Sequence, residues 1–208
     1  YSHDHFLTPE VQALLDSCTH VYIAAFFLTH SPDTILAVAK HCAEKNKVFM
    51  MNLAAPFLLQ VPPFQEKIKE YMPYLDYVFG NESEAVCLAE MYGWENKTDL
   101  DVIAKTAADL PKINGARPRH VVFTNGPDPT IIASSAAAGA EKFSVPPMAK
   151  DDIIDTNGAG DAMVGGFLSQ LLKGKDHARC AEIGHWTASH ILKRSGCTFP
   201  EKPDRADL

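Results

Sequence analysis

Short apolar runs alternate along this chain with segments whose apolar residues recur at helical spacing. Val21 to Leu28 is a continuous apolar run, the pattern of a strand buried on both faces. Ser31-Pro32 then opens a helix with Ile35, Leu36, Val38, Ala39 and Cys42 on one side. Val48 to Leu53 reads as a second buried strand, Pro62-Pro63 starts a short helix through Tyr71, and Tyr74 to Phe79 makes another strand. Ahead of these, Thr8-Pro9-Glu10 is a cap with proline at the first helical position, leading into Val11, Leu14 and Leu15. Further helices are expected over Glu82 to Tyr92 and Asp99 to Leu110. A strand at His120 to Thr124 ends in the turn Asn125 to Pro129, and Thr130 to Ser135 with Glu141 to Val145 reads as a hairpin. Helices at Ala159 to Leu172 and His177 to Lys193 complete the pattern. Buried strands alternating with helices predict an α/β layered fold, a mostly parallel sheet flanked by helices, in one domain over residues 1–208.

Composition narrows the function. Across 208 residues, 46% hydrophobic and 22% charged, a soluble globular core is expected. The net charge of −7, with no Lys/Arg run, argues against nucleic acid as a partner. No apolar stretch reaches bilayer-spanning length, so no membrane role is expected. Cys18, Cys42, Cys87, Cys180 and Cys197 are scattered, odd in number and without a CxxC pair. They read as reduced thiols of an intracellular protein, not as a disulfide frame or zinc site. The start Tyr1-Ser2-His3-Asp4-His5 has no initiator methionine and reads as an exposed polar terminus of a fragment, a processed chain or a partial sequence.

The candidate chemistry concentrates in Asp155-Thr156-Asn157-Gly158-Ala159-Gly160-Asp161. Two glycines at a helix entrance turn the backbone tightly, so that N–H groups point outward as an anion cradle aided by the helix dipole. Asp161 is out of place in a pure anion site, but fits a group that removes a proton while its neighbours hold developing charge: phosphoryl transfer to a hydroxyl. The plainer alternative is a loop with a stabilising acidic helix start. Functional groups in such sheets gather at the carboxyl ends of the strands. Asn81 and Glu84 fall there, three residues apart, the spacing of a capping box. Thr124-Asn125-Gly126 follows another strand, and Gly196 is a natural helix C-cap.

The string DTNGAGDAMVGGF resembles the second signature of the ribokinase-like (PfkB) family of carbohydrate and nucleoside kinases. The resemblance implies Asp161 as general base, with Gly158, Ala159 and Gly160 holding the phosphoryl oxygens. It implies Asn81 and Glu84 placing Mg²⁺ and phosphate through water, and Thr124 and Gly126 touching the phosphates of ATP. Asn157 and His185 would lie near the nucleotide base or ribose, and Asp155 with carbonyls of 194–198 beside a monovalent cation such as K⁺. Phe26 or Phe27 would stack on a nucleoside base, at least one of the pair remaining in the strand core. The strings AFFLT (from Ala25), NLAAPF (from Asn52), FGNE (from Phe79) and GCTFPEKP (from Gly196) look like the adenosine-phosphorylating branch of that family. That likeness implies transfer from ATP to the 5′-hydroxyl of adenosine, giving AMP and ADP in purine salvage. It further implies a cytoplasmic or nuclear protein, monomeric when complete. The alternatives are another sugar kinase of the family, or a truncated nucleotide-binding chain without turnover. Two departures stand out. The family's N-terminal segment, with its Gly-Gly-Asn motif, acceptor contacts, lid and first strands, has no counterpart here, and Met163 replaces the usual Phe.

Overall fold

The computed structural model describes residues 2–199 and 204–205. In chain order these form α1 (His3–Phe6), α2 (Pro9–Ser17), β1 (His20–Ala24), α3 (Pro32–Glu44), β2 (Val48–Asn52), α4 (Pro56–Gln60), α5 (Pro62–Tyr71) and β3 (Tyr77–Asn81). Then follow α6 (Glu82–Tyr92), α7 (Leu100–Ala108), β4 (His120–Asn125), β5 (Asp128–Ser134), β6 (Ala140–Phe143), α8 (Ala159–Leu171) and α9 (His177–Leu192). They divide into two compact units. One takes the residues up to Asn125 with Ile131–Lys142, the other Gly126–Thr130 with the residues from Phe143 onward.

The first unit is built on a six-stranded sheet in the order β1-β2-β3-β4-β5-β6. β1 to β4 run parallel, with Val21 opposite Phe49, Met51 opposite Val78 and Phe79 opposite Val122. The two-residue link from β4 to β5 is too short for a crossover, so β5 returns antiparallel and the sheet is mixed. Phe49, Met51, Val78 and Phe123 are fully or almost fully buried and meet Ile35, Leu58, Tyr71 and Ile103 from the helices in one apolar core. This is the α/β arrangement that the alternating pattern predicts.

Several boundaries differ from the pattern, each for a reason. Val21 to Leu28 is not one strand: β1 stops at Ala24, and Ala25–Thr29 winds into a 3-10 turn. Nor is β1 buried on both faces. It lies at the sheet edge and is only half-buried along its length. In the turn, Ala25 and Leu28 go inward at helical spacing while Phe26 is 52% exposed. The N-terminal stretch is a short helix rather than a loose end, because Phe6 is buried and the His3 Nδ1 lies 2.9 Å from Thr34 Oγ1. Tyr74 closes a 3-10 turn, Met72–Tyr74, so the strand there begins only at Tyr77. Pro56 at a first helical position starts α4, which apolar periodicity over five residues is too short to announce.

In the second unit α8 and α9 pack antiparallel with their backbones nearly touching. A Cβ on Gly166 would come 2.7 Å from the Ile183 carbonyl oxygen and 2.9 Å from Gly184 Cα. Only glycine permits that approach, and it brings the start of α8 alongside the end of α9.

Candidate functional site

The predicted residues of the first unit collect at one edge of its sheet. Parallel strands end together, so Phe26 after β1, Asn81 closing β3 and Thr124 in β4 all stand at the carboxyl edge. Asn81 pairs in register with Thr124, whose hydroxyl donates to the Gly80 carbonyl at 3.4 Å. Asn81 and Glu84 form the complete capping box of α6. The Glu84 N–H donates to Asn81 Oδ1 at 2.9 Å, and Glu84 Oε2 accepts from the Asn81 N–H at 3.0 Å. The Asn81 side-chain amide adds a third bond to Glu84 Oε1 at 3.2 Å. Glu84 is thus 4% exposed yet fixed at the strand end. Of the aromatic pair, Phe27 packs against the core, whereas Phe26 projects outward and meets Phe57 edge-to-face at 6.0 Å.

A neighbouring feature escaped the sequence reading. Ala54, just beyond β2, adopts a left-handed conformation at φ 66°, and its N–H is held by Asn52 Oδ1 at 3.1 Å. Strained backbone of this kind clusters at functional edges. An Asn two residues before an alanine is the faint signal that was available.

In the second unit the cradle is a local construction. Gly158 caps α8 in the left-handed region, φ 79°, where other residue types are strained. Helical first-turn amides have no partner within the helix, so the N–H groups of Gly160 and Asp161 point out of its end. The Ala159 N–H turns back to the Thr156 carbonyl at 3.3 Å. Asp161 sits exposed in that first turn. It lines an open groove of about 550 Å³ shared with Gly158, Gly165, Thr187 and Cys197. Asp155 ties the approach together: Oδ1 accepts from the Asn157 N–H at 3.0 Å and Oδ2 from the Gly196 N–H at 3.2 Å. Those amides hold its carboxyl below the usual carboxylate range. The Asn157 residue is exposed beside them.

His185 lies on α9 and is 7% exposed; its Nε2 is 2.8 Å from Thr130 Oγ1. Burial pushes its pKa down, so the ring is neutral near pH 7. Gly126 occupies an exposed left-handed turn position, φ 54°. The structure therefore gathers Asn81, Glu84 and Thr124 in one unit, and Asn157, Gly158, Ala159, Gly160 and Asp161 in the other. The resemblance sets Asp155 beside residues 194–198, where it meets the Gly196 N–H; the seating of Cys197 against Gly158 was not foreseen. No local pattern announces contacts between residues so far apart in sequence. Pro200 to Pro203 of the closing string lie outside the described residues. Among the described residues no cluster of three His, Cys, Asp or Glu forms a metal site, and no helix is long and apolar enough to cross a membrane.

Comparison with known proteins places this arrangement. The pattern described as pfkB family carbohydrate kinase matches residues 1–205. Adenosine kinase 2 of Arabidopsis thaliana is 45% identical over 204 residues, covering 98% of this chain and 58% of that protein. Adenosine kinase of Dictyostelium discoideum is 41% identical over 196 residues, covering 94% and 56%. The crystal structure of Anopheles gambiae adenosine kinase in complex with P1,P4-di(adenosine-5) tetraphosphate superposes with a TM-score of 0.93 at 40% identity. It covers 99% of this chain and 59% of that one. The chain thus spans a little under three fifths of the length of these relatives.

Proposed function

We propose that this chain, which belongs to the pfkB family of carbohydrate kinases, serves transfer of the γ-phosphoryl group of ATP to the 5′-hydroxyl of adenosine, yielding AMP and ADP. The observation that carries the reading is Asp161 in the first turn of α8, directly after the left-handed cap at Gly158. A primary alcohol is a weak nucleophile. Asp161 accepts its proton as the bond to phosphorus forms. At the start of α8 the Gly158 and Gly160 amides receive the oxygens of the transferring group, where the helix dipole favours negative charge, whereas the Ala159 N–H, expected to join them, is engaged by the Thr156 carbonyl. Most of the acceleration comes from placing donor and acceptor in line.

At the sheet edge, Thr124 and Gly126 meet the ATP phosphates, Asn81 and Glu84 serve the metal, and Phe26 offers its exposed ring to the adenosine base. Asn157 and His185 lie near the nucleotide base or ribose, the His185 ring being held by Thr130. Magnesium fits the donors present: it favours one or two carboxylates with water and phosphate oxygens over an all-protein cage, and Glu84 is a fixed carboxylate at the strand end. When bound, it neutralises charge on the nucleotide phosphates. A monovalent cation such as K⁺ beside Asp155 would stiffen the same loop. The complete protein acts as a cytoplasmic or nuclear monomer, with residues 1–208 as part of a single kinase core domain.

The test is transfer from labelled ATP with Mg²⁺ by the purified chain, offering adenosine and ribose in parallel. AMP formation supports the reading, and preferential labelling of ribose replaces it with a sugar kinase. ATP binding without transfer to either leaves a nucleotide-binding chain only. In the same assay Asp161→Asn should lower turnover by ~10²–10⁴-fold, the range for loss of a general base, with ATP binding retained. Near-normal turnover would remove Asp161 from its role.

A further inference from the structure

We infer that Cys197 is a positioning residue of the anion cradle, its thiol wedged beside Gly158 so that the left-handed turn aiming the α8 amides cannot relax. The inference rests on the nucleotide-phosphate reading of that cradle. Glycine enters the left-handed region without cost but is not confined to it. The caps of α2, α6, α7 and α9 are all extended, as is usual, whereas Gly158 is left-handed. Without a side chain of its own to confine it, this cap depends on its neighbours to hold the turn.

Groups in the loop before α8, at the end of α9 and in the turn after it do so. Asp155 grips the Asn157 N–H on one side and the Gly196 N–H on the other. The Cys197 thiol donates weakly to the Asn157 carbonyl, with sulfur and oxygen 3.7 Å apart. The same sulfur lies 2.5 Å from where a Cβ on Gly158 would be, and Ile191 Cγ2 closes the space at 3.8 Å. The thiol therefore fills the space that a side chain at Gly158 would take and packs directly against the turn. Cys197 is nevertheless exposed and borders the groove that Asp161 lines. Enlarging its side chain must push against Gly158 or close the groove, and both disturb the cradle while leaving the apolar core of the other unit alone.

The experiment uses the whole chain carrying Cys18→Ser, so that Cys197 is the one remaining exposed thiol among the described residues; Cys42, Cys87 and Cys180 are buried. Methyl methanethiosulfonate converts the thiol to a methyl disulfide, with methanesulfinate leaving. MgATP affinity by titration calorimetry and the unfolding temperature are read before and after. Labelling should weaken MgATP binding by roughly tenfold or more, the effect of one overpacked group. The unfolding temperature should barely move, dithiothreitol should restore binding, and MgATP should slow the labelling. Cys197→Leu should reproduce the loss without reagent, and Cys197→Ser should bind more tightly than Cys197→Leu. Unchanged affinity after complete labelling overturns the inference alone. So does affinity lost only in step with folded structure. An unlabelled chain that binds no MgATP overturns the nucleotide reading and this inference together.

Discussion

β3 carries a buried acid at each end, and the two are held differently. Asp76, just before the strand, is 2% exposed; it meets Lys112 Nζ at 2.7 Å, Arg117 Nε at 3.3 Å and the Phe49 N–H at 2.9 Å. Those donors come from β2 and from the loop preceding β4, so the acid stitches separate elements. Beside it Arg119 is wholly buried and donates to the carbonyls of Met72, Leu75, Leu110 and Pro111. Burial lowers the Arg119 pKa to about 10, which leaves it charged at neutral pH. Glu84, just past the other end, is held by the N–H groups of Asn81, within its own helix start. One end of the sheet spends its charges on closing the scaffold. The other fixes a carboxylate by local, neutral donors at the edge where Phe26 stays exposed.

The contrast breaks hardest at Asp76. Asp76→Asn leaves Lys112 and Arg117 facing a neutral group, and should destabilise the fold by about 3 kcal/mol. Denaturant unfolding reads this, and the fraction still folded should bind MgATP as before. At the opposite end, Glu84→Gln keeps the capping box, since glutamine serves in that motif, but removes the charge. Glutamine keeps only one of the two acceptor oxygens that meet Asn81, so stability should fall by about 1 kcal/mol, whereas Mg²⁺-dependent ATP affinity should fall about tenfold. A large stability loss with unchanged affinity would make Glu84 a scaffold acid like Asp76. Phe26→Ala removes an exposed ring, so thermal unfolding should stay within about 0.5 kcal/mol of wild type. Calorimetry should show weaker adenosine binding, and equal binding would assign the ring to the Phe57 contact alone.

The smallest effect concerns His185. Its folded pKa lies below the ordinary 6.5 because burial disfavours the charged ring. Below about pH 6.5 the unfolded chain therefore takes up a proton that the folded one resists, and stability falls as pH drops. Above that range the histidine contributes no pH dependence. The unfolding temperature of the wild type should decline between pH 7 and pH 5.5, and His185→Gln should decline less steeply.

Much of this was legible in the chain. The capping box at Asn81 and Glu84, the proline starts of α2, α3 and α5, and the glycine cap ahead of Asp161 depend on neighbours within a few residues. Apolar runs announced β2 and β4 because both faces of those strands are covered. The same rule failed at β1, an edge strand whose apolar run continues into a turn.

Local order along the chain settles helix, strand and the amide cradle, because hydrogen bonding and side-chain spacing act over one or two turns. Packing alone decides which of Phe26 and Phe27 faces outward, that His185 meets Thr130, that Asp76 is neutralised by Lys112 and Arg117, and that Cys197 seats against Gly158. Those contacts join residues distant in sequence, and they form only where the strand order and the close approach of α8 to α9 bring their side chains within reach.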